Sequence, residues 1–396
     1  MLAGVIFLTV TSETLPTGLL PDMSASLGVS EPAIGLLVTI FAFTVVATSA
    51  PLTALTRRLP RHRMIVVILV VLAASNLLTA FSPNYGTVVA SRIIGGTAHG
   101  MFWAIVGAYA GHLVPKEQIG RAVSITLGGG TLAFVFGVPL GTFAGHLFGW
   151  RSAFGILCGL MLVGAVLVWR FLPRVERSEP AAPDRRTKGA KRRGRDRTIA
   201  AVVMVCLITA VTVVGQYTFY TYIAPFMISR MNVNPGDVGA LLLVYGVAGG
   251  IGLLIAGSVL GRRPQLGLLL ALILAAVSVS ALAIFAAQPL IAIPALTLWG
   301  IAFGTFPPAM QTRLLHTSSA GFRDTASAIY TTAFNVGIGT GALIGAAVYG
   351  AIGVGGLPWV FVGILVLALI LSLVVGRSPS AEPESSERSQ PVIEAR

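Results

Sequence analysis

One carboxylate, Glu13, lies clearly inside a long apolar segment of this 396-residue chain. An ionisable side chain at membrane depth costs about 2.5–3.5 kcal/mol on insertion scales, so such a residue needs a partner or a function. Glu13 precedes Pro21 by eight residues, which is roughly 12 Å along a helix. Because a carboxylate shielded at that depth can take up and release a proton, we interpret Glu13 as a candidate proton-coupling group. The alternative is a structural glutamate that a neighbouring helix caps.

Arg92 and His99 lie together in a second apolar segment, residues 85–113. Arg92 is expected at a depth similar to that of Glu13. It could pair with an ionised Glu13, or it could bond the backbone around Gly18 and brace the first segment. His99 follows Arg92 by two helical turns on the same face. It could line a cavity and relay protons, or it could be a histidine that is hydrogen-bonded in packing.

Amides and aromatic side chains inside other apolar segments are further candidates for a binding cavity. An amide at such a position needs a partner or a wet cavity, whereas tyrosines near a segment end also fit the aromatic belt of a membrane interface. Together with His99, we expect the cavity to be lined by Trp103, Gln216, Tyr217, Tyr220, Trp299 and Asn335.

Soluble-enzyme chemistry has little support in the sequence. It contains no P-loop, nucleophile elbow or metal-ligand cluster in a loop long enough to build an active site. Cys158 and Cys206 both fall in apolar segments, which argues against a disulfide framework or a metal site. We therefore expect no enzymatic activity, no metal and no cofactor.

The composition places these residues in an integral membrane protein. AVILMFWYC residues make up 55% of the chain and charged residues only 10%, whereas soluble domains are about a quarter charged. A helix that crosses a bilayer needs roughly 20 apolar residues, and the alternating pattern of membrane β-barrels is absent. We predict an all-α fold with twelve spans, at 2–21, 33–56, 64–81, 85–113, 122–146, 152–172, 199–224, 237–260, 265–286, 290–312, 325–350 and 357–376.

The basic residues predict the orientation and the domain organisation. With both termini cytoplasmic, 24 of the 27 Lys and Arg residues fall on the cytoplasmic side. The predicted units are an N-terminal six-helix bundle (1–172), a basic cytoplasmic linker (173–198), a C-terminal six-helix bundle (199–376) and a disordered cytoplasmic tail (377–396). The linker lacks interleaved aromatics, so we expect it to face the lipid headgroups of the bilayer rather than a nucleic acid; a regulatory contact is the alternative.

An internal repeat connects the two halves at a single offset of 204 residues. Turn, proline and loop-arginine positions coincide across six spans without a gap. The pairs include Pro21 and Pro225, Gly35 and Gly239, Arg58 and Arg262, Pro60 and Pro264, Gly96 and Gly300, Gly100 and Gly304, Gly137 and Gly341, and Gly141 and Gly345. The halves therefore look like duplicates of one six-helix unit, and a chain that encloses its own cavity is expected to be a monomer.

Several local motifs resemble the major facilitator superfamily over nearly the whole chain. The loop Pro51–Arg63, with Arg57 and Arg58, resembles the cytoplasmic gating loop of that family but has Thr56 nearest the position of its usual aspartate. The run from Arg92 to Gly96 resembles the span-four motif of proton-coupled members, and Gly137-Val-Pro139-Leu-Gly141 is similar to the antiporter motif of span five. The segments Trp150–Phe154 and Gly18–Pro21 are similar to the drug:proton antiporter branch, particularly its sugar-efflux and chloramphenicol-efflux permeases.

The resemblance implies a proton-coupled antiporter of the inner membrane that exports a small organic solute, a sugar or a drug-like antibiotic, by alternating access. Glu13 and Arg92 would couple the proton. Gly96, Gly137, Pro139 and Gly141 would provide close helix packing and gating. The alternatives are a proton-independent facilitator of a neutral solute and a non-transporting sensor that uses the basic linker as its output.

Overall fold

The computed structural model describes residues 1–56, 59–112, 119–173, 198–258, 264–319 and 322–376. Within these ranges the chain is helical and contains no strand. The N-terminal half consists of α1 (Leu2–Gly18), α2 (Leu20–Leu27), α3 (Glu31–Thr56), α4 (Arg61–Ala80), α5 (Tyr85–His112), α6 (Ile119–Leu132), α7 (Val138–Phe148) and α8 (Trp150–Phe171). The C-terminal half consists of α9 (Ile199–Tyr220), α10 (Ile223–Arg230), α11 (Val238–Ser258), α12 (Pro264–Phe285), α13 (Pro289–Thr317), α14 (Arg323–Ile352) and α15 (Leu357–Gly376).

The described helices follow the order of the twelve predicted spans. Ten described helical segments are long and apolar enough to cross a membrane, and the bent pair α1–α2 makes eleven. α5 lies at the position of the remaining predicted span, and its 28 residues extend about 42 Å at the helical rise. A π-helical stretch, Ala133–Gly137, joins α6 to α7 within one span.

Two spans that the sequence predicts as unbroken helices are interrupted in the structure. The predicted span 2–21 is α1 followed by α2, with a bend of 67° between them, and the predicted span 199–224 is α9 followed by α10. Pro21 and Pro225 each fall in the first turn of the short second helix. A proline there lacks the N–H that a continuing helix needs, and its ring collides with the preceding turn. The short helices therefore start in new directions.

Backbone conformation repeats at the offset found in the sequence. Among the described residues, positive φ occurs at Gly28 (64°), Gly149 (85°), Asn232 (54°) and Gly353 (79°). They form two pairs, 28 with 232 and 149 with 353, each separated by 204 residues. Asparagine is among the few residues besides glycine that adopt the left-handed conformation readily. The equivalent turns of the two halves thus have the same backbone conformation, although only one of the two pairs has glycine in both halves.

Close helix packing repeats in the same way. A Cβ added at Gly96 would press on the main-chain carbonyl of Phe41, and one added at Gly300 would press on that of Tyr245. Phe41 and Tyr245 are themselves 204 residues apart. In each half this contact lets the fourth span approach the second at backbone distance, so the duplication holds for tertiary contacts as well as for sequence.

The two halves meet along two pairs of helices, α3 with α14 and α7 with α11. Contacts between the halves are found where α3 begins and α14 ends, which we term the closed end. There the hydroxyl of Tyr349 donates to the carboxylate of Glu31. About two turns further along α3, Thr39 Oγ1 donates to the carbonyl of Gly339 at 3.0 Å. These bonds join the two bundles on this side of their interface.

Candidate functional site

A cavity of about 330 Å³ lies between the two halves. Its wall includes Val10, Glu13, His99, Trp103 and Phe134 from the N-terminal half and Tyr217, Tyr245, Phe303 and Asn335 from the C-terminal half. It extends away from the closed end, towards Gln311 of α13 and Tyr330 of α14. The volume lies within the range of about 300–1,000 Å³ that small-molecule sites occupy.

Five of the predicted site residues line this cavity: Glu13, His99, Trp103, Tyr217 and Asn335. Gln216, Tyr220 and Trp299 do not. They lie behind the wall, in contact with α11 and α13, which corrects their predicted position. Gln216 and Tyr220 are four residues apart and share one face of α9, whereas Tyr217 is rotated by about 100° from Gln216. Rotation of α9 about its axis therefore decides which side chains reach the cavity.

Glu13 lies on α1, which is buried over almost its whole length. Its side chain is 10% exposed, and Oε2 lies 3.4 Å from Nε2 of His99. The indole N–H of Trp103 donates to the same His99 nitrogen at 2.6 Å. One ring nitrogen carries either a proton or a lone pair. It can therefore accept from Trp103 or donate to Glu13, but it cannot do both, and the two cavity residues compete for one atom.

Arg92 contacts the main chain of α1 rather than the Glu13 carboxylate. Its guanidinium donates to the carbonyl of Ser12 at 2.9 Å and to that of Glu13 at 2.6 Å. Of the two roles that the sequence left open, this geometry matches bracing of the first helix, although the contacts fall at residues 12 and 13 rather than around Gly18.

The reason for this contact is a proline in α1. Pro16 has no N–H to donate to the carbonyl four residues before it, which is that of Ser12. A buried carbonyl without a donor is costly, and Arg92, itself 3% exposed, supplies one. The guanidinium also lies over the ring of Phe41, 4.3 Å from its centroid. Arg92 thus holds the backbone that carries Glu13.

A second polar network lies behind the C-terminal wall. The indole N–H of Trp299 donates to Gln216 Oε1 at 2.9 Å, and Gln216 Nε2 donates to the hydroxyl of Tyr245 at 2.8 Å. Gln216 and Trp299 are almost fully buried, whereas Tyr245 lines the cavity. Tyr220 packs its ring against Tyr245, with centroids 5.3 Å apart. The network connects buried polar groups to the cavity through one hydroxyl.

The predicted packing residues lie at helix contacts. Side chains added at Gly137 or Gly141 would collide with side chains of α1, so both glycines allow α7 to lie close to that helix. The carbonyl of Pro139 faces Gly239 of α11, at the contact between the halves. The π-helical turn directly precedes Val138 and Pro139, where the proline cannot donate to the ladder. Arg57, Arg58, the tail and nearly all of the linker lie outside the described residues.

Several residues of the cavity wall have no counterpart among the sequence predictions, and Tyr245 is one that carries a polar group. Outside the wall, Asn76 of α4 was also not predicted; it accepts a hydrogen bond from the hydroxyl of Ser12, next to Glu13, at 2.8 Å. Tyr245 lies at the position equivalent to Phe41 under the 204-residue repeat, so a comparison of the two halves could have identified it. For Asn76 the signal was an amide within an apolar span, the same signal that identified Gln216 and Asn335.

Comparisons with known proteins agree with this architecture. The chain is 32% identical over 356 residues to a chloramphenicol efflux pump of Mycobacterium tuberculosis (strain H37Rv), covering 88% of this chain and 85% of the pump. It is 29% identical over 372 residues to a protein of Helicobacter pylori (strain G27) named "probable sugar efflux transporter", covering 92% and 91% of the two chains.

Solved transporter structures share the fold at lower identity. A D-xylose–proton symporter superposes with a TM-score of 0.76 at 16% identity and covers 94% of this chain and 95% of its own. A bacterial homologue of the human lysosomal transporter Spinster, in an inward-facing and occupied conformation, gives 0.74 at 17% identity, with 95% of both chains covered.

The family model described as "Major Facilitator Superfamily" matches residues 2–312 and, in a second overlapping match, residues 205–395. With its helices, its two related halves and the cavity between them, the chain belongs to the major facilitator superfamily of membrane transporters and is not an enzyme.

Proposed function

We propose that this protein is a proton-coupled antiporter that exports a neutral small organic solute. The observation that carries the proposal is the contact between Glu13 and His99 at the wall of the cavity between the halves. The sugar and chloramphenicol efflux functions named for the relatives support export of a sugar or a drug-like antibiotic. The geometry fits such solutes because the wall is largely apolar, and no Lys or Arg is among the described residues that line it.

The coupling rests on competition for the Glu13 carboxylate. When Glu13 is ionised, its oxygens can accept a hydrogen bond from a hydroxyl or N–H group of the solute. When a proton enters the Glu13–His99 pair, the carboxylate is neutralised or accepts from protonated His99, and in either case it accepts a hydrogen bond from the solute less strongly. Protonation therefore lowers the affinity for the solute, and bound solute disfavours protonation, which is the reciprocal coupling that antiport requires. Arg92 acts by holding the backbone of Glu13 and not through an ion pair.

Alternating access would expose this site to each side of the bilayer in turn. From the distribution of Lys and Arg we infer that both termini are cytoplasmic; the closed end would then face outward and the cavity would extend towards the cytoplasm. This state would load solute from the cytoplasm after the proton has left. One candidate carboxylate implies one proton per cycle.

The location, oligomeric state and partners of the transporter are inferred from its apolar helices, its cavity and its basic linker. We place it in the cytoplasmic membrane, which is the inner membrane of a cell that has two. We expect a monomer, because one chain encloses the whole cavity. The basic linker is assigned to the lipid surface, with no nucleic-acid partner.

The test measures proton movement and solute flux together in proteoliposomes. The neutral panel comprises chloramphenicol, D-glucose and methyl β-D-glucopyranoside, added to wild-type protein, to Glu13→Gln and to the control Asp237→Asn. Asp237 is exposed and lies in a turn outside the cavity, so its variant loses a carboxylate without touching the wall. We expect solute-driven proton movement with wild type and the control and none with Glu13→Gln.

Other outcomes would contradict the proposal. Solute flux without proton movement in wild type would establish a facilitator. Proton movement that Glu13→Gln retains would place the coupling on another group. Two protons per solute would overturn the single-carboxylate mechanism.

A further inference from the structure

The network formed by Trp299, Gln216 and Tyr245 has a fixed direction. An indole nitrogen can only donate a hydrogen bond, so the oxygen of the Gln216 amide must face Trp299. The amide nitrogen, which can only donate, then faces Tyr245. The usual ambiguity between the amide oxygen and nitrogen is removed by the chemistry of the indole.

The hydroxyl of Tyr245 is consequently an acceptor towards Gln216, and its own proton must point elsewhere. Among the described residues, the structure shows no acceptor for that proton. Tyr245 is 3% exposed and lies in the cavity wall. A buried donor without an acceptor is costly, so a solute or a water molecule in the cavity has to satisfy it.

Asn335 offers the complementary group. Its Nδ2 donates to the carbonyl of Thr331 at 3.0 Å, and because a carbonyl can only accept, this contact also fixes the orientation of the amide. Oδ1 is left as an acceptor on a residue that lines the cavity. The C-terminal wall therefore presents one donor with a set direction and one acceptor with a set direction.

We propose that Tyr245 donates a hydrogen bond to an oxygen acceptor of the solute, such as a carbonyl, ether, nitro or hydroxyl oxygen, while Asn335 Oδ1 accepts from a hydroxyl or N–H group of the same solute. Gln216 and Trp299 are positioning residues that aim the Tyr245 proton into the cavity. This inference rests on the proposed function, because it assigns the solute of that same cavity. It defines the solute as an uncharged molecule that carries both a hydrogen-bond donor and an oxygen acceptor.

The test compares solute affinity and turnover in proteoliposomes with the neutral panel defined above. Tyr245→Phe removes only the donor. We expect the KM of a transported panel solute to rise about three- to tenfold, the usual effect of losing one neutral hydrogen bond, with turnover at saturating solute unchanged. Tyr220→Phe is the matched control: it removes a hydroxyl from the adjoining ring, which lies behind the wall, and it should leave KM unchanged.

A double-variant experiment separates positioning from a structural role. Gln216→Leu should also raise KM, because the Tyr245 hydroxyl is no longer aimed. If Gln216 acts through Tyr245, Gln216→Leu should raise KM no further in the Tyr245→Phe background. A residue that only supports the fold would lower the yield of folded protein and would raise KM by the same factor in both backgrounds.

The outcomes distinguish this inference from the proposed antiport. If wild type exchanges protons for a panel solute and Tyr245→Phe leaves its KM within twofold, the assignment of Tyr245 is wrong and the antiport stands. If Tyr245→Phe raises KM but no proton moves, the assignment stands and the antiport is wrong. If wild type carries none of the uncharged panel solutes, the solute class inferred here is overturned.

Discussion

The contact between Arg92 and the carbonyl that Pro16 leaves without a donor predicts a coupling between two residues on different helices. Arg92→Leu removes both hydrogen bonds to α1, and the Ser12 carbonyl then has no donor in place of the N–H that Pro16 lacks. Pro16→Ala restores a backbone N–H at the position from which a helix would supply that donor. We therefore expect Pro16→Ala to compensate part of the loss caused by Arg92→Leu.

The size of this coupling follows from the cost of a buried, unsatisfied carbonyl, about 1–3 kcal/mol. In the Arg92→Leu background, Pro16→Ala recovers that cost together with the gain in helix propensity from replacing proline. In the wild-type background, Arg92 already satisfies the carbonyl, so only the propensity gain remains. The difference between the two effects of Pro16→Ala on the free energy of unfolding should therefore be about 1–3 kcal/mol.

Equilibrium unfolding in mixed micelles, followed by circular dichroism, measures the four proteins of this cycle. Pro294→Ala is the control: it replaces a proline inside α13, in the other half of the protein, and its effect should be the same with and without Arg92. If Arg92→Leu yields too little folded protein, Arg92→Met, which also lacks a donor but has a longer side chain, replaces it. A coupling below 0.3 kcal/mol, within the error of additive sites, would refute the explanation of the Arg92 contact.

Three further predictions follow from described contacts. Gly304→Ala should lower the free energy of unfolding by about 1–3 kcal/mol, as overpacking does, because the added Cβ meets the backbone of α11. Gly257→Ala is the control: its added Cβ meets nothing within 4 Å, so it should be tolerated in the same unfolding assay. Tyr349→Phe removes a bond between the halves at the closed end. It should increase maleimide labelling of a cysteine introduced there in a cysteine-free background, and unchanged labelling would show that this bond does not hold the end shut. Trp103 fluorescence should change when a proton enters the Glu13–His99 pair, because the indole N–H then loses its hydrogen bond to His99. Glu13→Gln should abolish that change. A change that persists in this variant would contradict the competition for His99.

Composition and a single repeat offset predicted the fold class, because a bilayer allows few architectures. A span must satisfy its own backbone, so length and apolarity identify it. The breaks between α1 and α2 and between α9 and α10 were missed, although Pro21 and Pro225 stood out as a repeat pair. Apolar length cannot reveal such a break, since both helices of each pair are apolar. The proline at the first turn of the second helix carried that information.

The candidate site could be predicted only in part, because one sequence does not show how a helix is rotated. Glu13 was found because an ionised group at membrane depth demands an explanation. Gln216 and Tyr217 are neighbours in sequence, yet one lies behind the cavity wall and the other lines it. The role of Arg92 was accessible in principle, since Pro16 leaves the carbonyl of residue 12 without a donor. What the sequence could not supply was the distance between the two helices.

The two halves place different chemistry at equivalent positions of one scaffold. Glu13 and its counterpart Tyr217 both line the cavity, and the offset also pairs Phe41, which stacks on Arg92, with Tyr245, which accepts from Gln216. Ionisable groups thus occupy the N-terminal side, and neutral hydrogen-bonding groups occupy the C-terminal side. Because the solute also contacts Glu13 in the proposed mechanism, variants at Glu13 should change both the coupling ratio and the KM, whereas variants at Tyr245 should change the KM and leave the coupling ratio as it is. A coupling ratio that changes with Tyr245→Phe would show that the C-terminal wall also handles the proton, and that the two halves have diverged less in function than their side chains suggest.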